Sequence, residues 1–207
     1  MEDLMLSLFA CLTIPIAMSL FILKGKSRTL IICMLSGIFM CLFAGQINGL
    51  VAQTSGLNQM MLTISVTPIV EELVKIIPIL LLAFVIKVDK QLLLESALMV
   101  GLGFATMENV YILMTNANVI SFFWAFSRGL GSAMLHSATS VIVAYGISLC
   151  TLRKKTFITG TYAILLSAMV LHGIYNMLVQ NSVYMYFGIL LPSFVFVILA
   201  LIAKKNK

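Results

Sequence analysis

Seven apolar stretches, each long enough to cross a bilayer, follow one another along this chain, with polar breaks of only a few residues between them. A membrane-crossing helix needs about 20 consecutive, mostly apolar residues. Residues 4–23, 29–52, 60–86, 92–115, 119–151, 157–179 and 184–203 meet that requirement. In a bilayer every backbone N–H and C=O must be paired within the chain, and segments of this kind pair them as helices. The expected fold is therefore all-α, a polytopic membrane helix bundle forming a single integral-membrane domain over residues 1–207. Composition closes off the soluble alternatives. The chain is 61% hydrophobic and only 10% charged, with a mean hydropathy of +1.12, whereas soluble domains carry roughly 25% charged residues. Soluble enzyme, secreted disulfide scaffold, nucleic-acid binder and disordered chain are excluded on that ground.

Basic residues set the expected orientation. Lys24, Lys26, Arg28, Lys87, Lys90, Arg153, Lys154, Lys155, Lys204, Lys205 and Lys207 occupy alternate breaks and the C-terminus, 11 of the 13 Lys and Arg in the chain. The positive-inside rule then places the N-terminus outside and the C-terminus in the cytoplasm, which an odd number of spans requires. The net charge of +6 is thus a topology signal rather than a nucleic-acid footprint. Trp124, Tyr184 and Tyr186 fall near outer span ends, as interfacial anchors do. The start, Met1-Glu2-Asp3, is acidic where a signal peptide is basic, so the first stretch reads as a helix of the bundle. Cys11, Cys33, Cys41 and Cys150 lie in apolar stretches without CxxC spacing and read as buried thiols. Gly45 and Gly49 form a GxxxG whose default meaning is close helix packing.

Against this apolar background, Glu71, Glu72, Lys75, Glu108, His136, His172 and Asn176 are out of place. Insertion of a charge at mid-helix costs roughly 2.5–3.5 kcal/mol, so such residues compensate one another or serve a function. Their depth argues for function. Glu72 is 15 residues from Lys87, Glu108 is 18 from Lys90, His136 is 17 from Arg153 and His172 is 17 from Lys155. At about 1.5 Å per residue all four lie about 22–27 Å from the basic edge, one layer in the outer part of a core about 30 Å thick. Glu71 and Lys75, at i and i+4, are expected to pair, leaving Glu72, about 100° round the helix, for chemistry. Pro68 and Pro78 bracket this stretch and should free backbone carbonyls at positions 64 and 74. Small residues flank the layer: Ala97, Gly101 and Ala105 lead toward Glu108, Gly129, Ala133 and Ser137 form a stripe beside His136, and Ser132 and Ser140 lie one turn either side of it. Arg128 reads as an outer-interface anchor and Glu95 as a solvated residue at the cytoplasmic boundary.

Two chemistries fit this layer. Three glutamates against Lys75 require either a proton shared among them or a bound cation. Glu108, His136 and His172 match a catalytic zinc site, Zn2+ held by three ligands with one position open. Without metal, Glu72 or Glu71 serves as general base toward water, and the histidines and Asn176 donate to the developing oxyanion.

The blocks Glu71-Glu72-Leu73-Val74-Lys75, Phe104-Ala105-Thr106-Met107-Glu108-Asn109, His136-Ser137 and His172-Gly173-Ile174-Tyr175-Asn176 stand in one order on four successive spans. The set resembles the PrsW family of intramembrane proteases, whose pattern is EExxK, FxxxEN, a histidine on the next span, and HxxxN. The motif-bearing core covers about 60–180. The resemblance implies a peptidase that makes the first, extracytoplasmic cut in a membrane-anchored substrate, an anti-sigma factor, from within a bacterial cell membrane. It implies Glu71 and Glu72 as the catalytic carboxylate pair, completed by Glu108, His136 and His172. Lys75, Asn109 and Asn176 would orient or neutralise them. The wider superfamily includes CAAX prenyl endopeptidases and bacteriocin-immunity proteins, but the EExxxR usual there differs from EELVK here, because Ile76 follows Lys75. Outside the protease class stand a non-catalytic scaffold or immunity protein, and a proton-coupled transporter. Transport calls for polar residues that file across the bilayer, and here they form a single layer.

Overall fold

A computed structural model of the chain describes residues 2–116, 121–150, 157–180 and 183–205. These residues form seven helical rods and no strand. The first, α1, is Glu2–Met18, continued by a 3-10 turn at Ser19–Phe21. Next come α2, Gly25–Thr54, and α3, a continuous helix over 59–86. The remainder are α4, Lys90–Thr115, α5, Phe122–Cys150, α6, Phe157–Val179, and α7, Met185–Lys205. Each rod lies on one of the seven apolar stretches. Four of them, in α2, α4, α5 and α6, are long and apolar enough to cross a membrane by length and composition. Local chemistry sets several ends. Asn58 Oδ1 accepts from the Met61 N–H at 2.9 Å to open α3, and Asp89 Oδ1 accepts from the Leu92 N–H at 3.0 Å to open α4. Both are side-chain N-caps. Lys87, in the left-handed region at φ 59, stops α3.

The bundle is built around α5, whose most apolar window is 67% buried. It packs against α4, α6 and α7, while α2 and α3 close the far side of α4 and the site. Close approach of α4 to its neighbours depends on missing side chains. A Cβ at Gly101 would run into the backbone of His136 and Ser137 on α5, and one at Gly103 into the Met34 carbonyl on α2. A Gly101→Val substitution should therefore wedge α4 from α5 and lower the stability by about 1–3 kcal/mol. The check is thermal unfolding in detergent, and an unchanged midpoint would show that this contact does not hold the helices. The Ala97-Gly101-Ala105 stripe thus serves the close packing expected of it, with Ala97 and Ala105 also buried.

Other small-residue expectations are corrected. Gly45, Gly49 and Gly129 meet nothing within 4 Å, because their faces of α2 and α5 point away from the bundle. Cys33 is buried, but Cys11 is exposed and Cys41 only half-buried; all three are free thiols. The side chains of Cys150 and Tyr186 lie outside the described set, as do Arg153, Lys154 and Lys155. Glu95 is not merely solvated: it pairs with Lys26 at 2.5 Å and accepts from Gln91 Nε2 at 3.0 Å. That pair brings the basic break before α2 and the start of α4 to one end of the bundle, the arrangement antiparallel spans require.

Most of the buried apolar core lies on the basic-loop side of the polar layer. Ile79 and Leu82 on α3, Leu93 and Ala97 on α4, and Val143 and Ile147 on α5 belong to one cluster there. The layer therefore rests on a largely apolar floor.

Candidate active site

Helix α3 supplies the acidic edge, and its distortion follows from Pro68. The segment Leu62–Val66 is a π-helix, in which the Thr67 N–H bonds back to the Leu62 carbonyl. The next bond of that register would run from residue 68 to the Thr63 carbonyl, and proline has no N–H to give. Asn176 on α6 fills the gap, its Nδ2 donating to the Thr63 carbonyl at 3.0 Å. Beside it, the Ile64 carbonyl lies 2.9 Å from where a Cβ on Gly173 would stand. The expectation of freed carbonyls thus holds near Pro68, one residue earlier for the bond itself. Asn176 reaches α3's backbone rather than the ionised groups.

The pairing on α3 reverses the expected one. Lys75 bonds to Glu72, at i−3, with Nζ to Oε1 at 2.5 Å. Its other two donors go to His136 Nδ1 at 2.9 Å and Thr139 Oγ1 at 3.2 Å, so an ammonium that is 1% exposed has its three protons placed. Phe104 adds a ring face 5.1 Å from Nζ. Glu72 Oε1 also accepts from the Thr139 hydroxyl at 3.2 Å and from His172 Nδ1 at 2.8 Å. Glu72 is thereby committed to holding the site together. Glu71 is the carboxylate left open: its Oε2 is buried without a hydrogen-bond partner, 3.6 Å from His172 Nε2.

Glu108 on α4 is likewise engaged. Its Oε1 accepts from Arg128 at 2.7 Å, and its Oε2 accepts from Ser132 at 2.8 Å and lies 2.9 Å from His136 Nε2. Arg128 is therefore no interface anchor. It belongs to the site, and the signal was available: Arg128, Ser132 and His136 recur every four residues on one face of α5. Asn109 carries a buried, unpartnered Oδ1. For neutral rings, the hydrogen-bond partners assign the tautomers. Lys75 donates to His136 Nδ1, so the His136 proton sits on Nε2 and points at Glu108. His172 donates from Nδ1 to Glu72, which leaves the lone pair of Nε2 facing Glu71. The two rings meet edge to face with centroids 4.9 Å apart.

The structure therefore brings Glu71, Glu72, Lys75, Glu108, His136 and His172 into one connected cluster, and adds Arg128, Ser132 and Thr139. Three carboxylates oppose two fixed cations. A carboxylate oxygen without a hydrogen-bond partner and an imidazole nitrogen face each other at 3.6 Å. Such a pair is suited to take a proton from water or to share a cation.

A polytopic helical membrane protein with this buried carboxylate–imidazole centre falls in the class of intramembrane hydrolases. The sequence profile of the PrsW family intramembrane metalloproteases matches residues 25–202, and the chain belongs to that family. It is a multi-pass membrane protein and a hydrolase of peptide bonds. No match was found among curated proteins or among solved structures.

The family description implies a metal ion, and the donor set bears on which residues fit one. Glu71, His136 and His172 each offer a ligand atom, all within 4.8 Å of one another. Glu71 Oε2 is unpartnered, and His172 has its far nitrogen held by Glu72, the carboxylate–histidine support common behind metal-bound imidazoles. His136 would exchange one of its two hydrogen bonds for the ion. The residues fit. This set differs from the expected Glu108, His136 and His172 in one member; Glu108 has its oxygens engaged by Arg128, Ser132 and His136.

Proposed function

We propose that the chain hydrolyses a peptide bond of a membrane-anchored protein near its extracytoplasmic side, as in the first cut of an anti-sigma factor, with Glu71 as the group that activates water. The observation that carries this reading is the open Glu71 Oε2 facing His172 Nε2 at 3.6 Å. Water held there gives its proton to Glu71 as its oxygen adds to the scissile carbonyl carbon. Glu71 returns that proton to the departing amine as the C–N bond breaks. His172 is oriented by Glu72, and His136 by Glu108 and Lys75. With zinc in the site, Glu71, His136 and His172 would hold the ion, and its Lewis-acid polarisation and more readily deprotonated water would stand in for the activation assigned to the open Glu71 carboxylate.

Access and orientation support the same reading. An apolar recess of about 420 Å³ between α3 and α6, lined by Ile76, Leu80, Phe84, Ile158, Tyr162 and Leu165 among others, begins one turn from Glu72. It offers a lipid-side surface to a substrate's membrane segment. The alternating basic breaks favour an N-terminus outside and a C-terminus in the cytoplasm, with the layer in the outer leaflet. The largely apolar floor beneath the layer argues against a proton-coupled transporter, which needs a polar path through it.

The test is co-expression with a tagged, single-span anti-sigma-type protein, with fragments mapped by mass spectrometry. Wild type should cut near the outer membrane boundary, and His172→Ala at equal membrane abundance should not. Treatment of the purified protein with 1,10-phenanthroline should abolish cleavage and added zinc restore it if the ion is resident; resistance would leave the glutamate chemistry alone. Equal fragments from wild type and His172→Ala would assign the cut to another enzyme.

A further inference from the structure

Tyr175 is the largest side chain in the described core to be buried outright, at 1% exposed, yet its hydroxyl has no hydrogen-bond partner. An unpaired buried hydroxyl costs about 1–3 kcal/mol, and phenylalanine would fill the same space without that cost. Structure alone therefore gives no reason for the oxygen.

Its position does. Tyr175 follows His172 by three residues on α6, so the two side chains leave the helix on one face. It precedes Asn176, whose bond to Thr63 holds this turn of α6 against α3. Opposite the phenol is Gly131 on α5, where a Cβ would stand 3.0 Å from the hydroxyl oxygen. The bare glycine makes room for that oxygen, one residue from Ser132 and one turn from Arg128, the two α5 groups bound to Glu108. An unsatisfied donor thus sits on α6 one turn beyond His172, on the side of the layer away from the apolar floor.

We infer that the Tyr175 hydroxyl donates a hydrogen bond to the carbonyl oxygen of the scissile peptide. The inference rests on the peptidase reading of the site. As water adds and its proton passes to Glu71, the carbonyl π pair becomes an oxyanion. Tyr175 keeps its own proton and shares it with that oxygen. Collapse re-forms the carbonyl and expels the amine, which takes the proton from Glu71. None of the cluster's imidazole N–H groups is free for this task, since His136 Nε2 points at Glu108 and His172 Nδ1 at Glu72.

The experiment compares wild type with Tyr175→Phe in detergent. The probe is a quenched-fluorescent peptide spanning the cleavage position that mass spectrometry maps for the wild type. Loss of one oxyanion donor lowers kcat roughly 10²–10³-fold, with KM little changed. The unfolding midpoint should stay level or rise, because an unpaired hydroxyl has been removed. Gly131→Ala, which crowds the hydroxyl, should lower kcat in the wild-type background and add little to Tyr175→Phe, a non-additivity expected of groups in contact. Equal kcat in wild type and Tyr175→Phe would overturn this assignment while leaving the peptidase reading intact. So would a rate loss that comes with a lower midpoint. A wild type that cleaves nothing would overturn the peptidase reading and this assignment together.

Discussion

Glu71→Gln is expected to yield a protein that inserts and unfolds like the wild type while cleaving about 10²–10⁴-fold more slowly, the range lost with a positioned general base. The substitution keeps the side chain's shape and removes its charge. Glu71 Oε2 accepts no hydrogen bond in the folded protein, so no partner is orphaned. With two fixed cations against three carboxylates, one less negative charge brings the cluster closer to neutrality, and stability should not fall. Glu72→Gln is the contrasting case. It removes the anion that accepts from Lys75, Thr139 and His172, so activity and folding should be lost together. Cleavage rates and unfolding midpoints of both variants, measured on one preparation of membranes, separate the roles. Retained cleavage in Glu71→Gln would sink the assignment of Glu71 to water activation.

Lys75→Met should be the most destabilising single change in the site. The ammonium holds Glu72, His136 and Thr139 at once, and both it and Glu72 are buried. Removing one partner of such a pair typically costs 3–5 kcal/mol, because the other charge stays behind without compensation. Replacing both partners removes the stranded charge, so the Glu72→Gln, Lys75→Met double variant should recover part of the loss. The measurement is a double-mutant cycle of unfolding midpoints in detergent. A single variant as stable as the double one would mean that the Lys75–Glu72 bond contributes little. Activity should not return in the double variant, since His172 would have lost the carboxylate that orients it.

How far the sequence could be read differs between fold and site for a physical reason. Length and hydropathy act along the chain, and a bilayer leaves a segment of about 20 apolar residues hardly any choice but a helix. All seven rods were therefore legible, within a few residues at most ends. So was the shared depth of Glu72, Glu108, His136 and His172, because a fixed rise per residue converts spacing into height. Rotation about each helix axis is different, being set by packing between helices. Spacing allowed Lys75 to pair with Glu71 or Glu72, and its reach to His136 and Thr139 on α5 decided for Glu72. Arg128 could have snorkelled to the interface; the approach of α4 to α5 through Gly101 turned it onto Glu108. Gly45 and Gly49 had the spacing of a contact, but α2 turns another face to the bundle. From sequence alone came a seven-helix membrane bundle with one polar layer. Which carboxylate in that layer keeps an oxygen without a hydrogen-bond partner, Glu71, was decided only by tertiary structure, because hydrogen-bond partners come from other helices and no local rule records them.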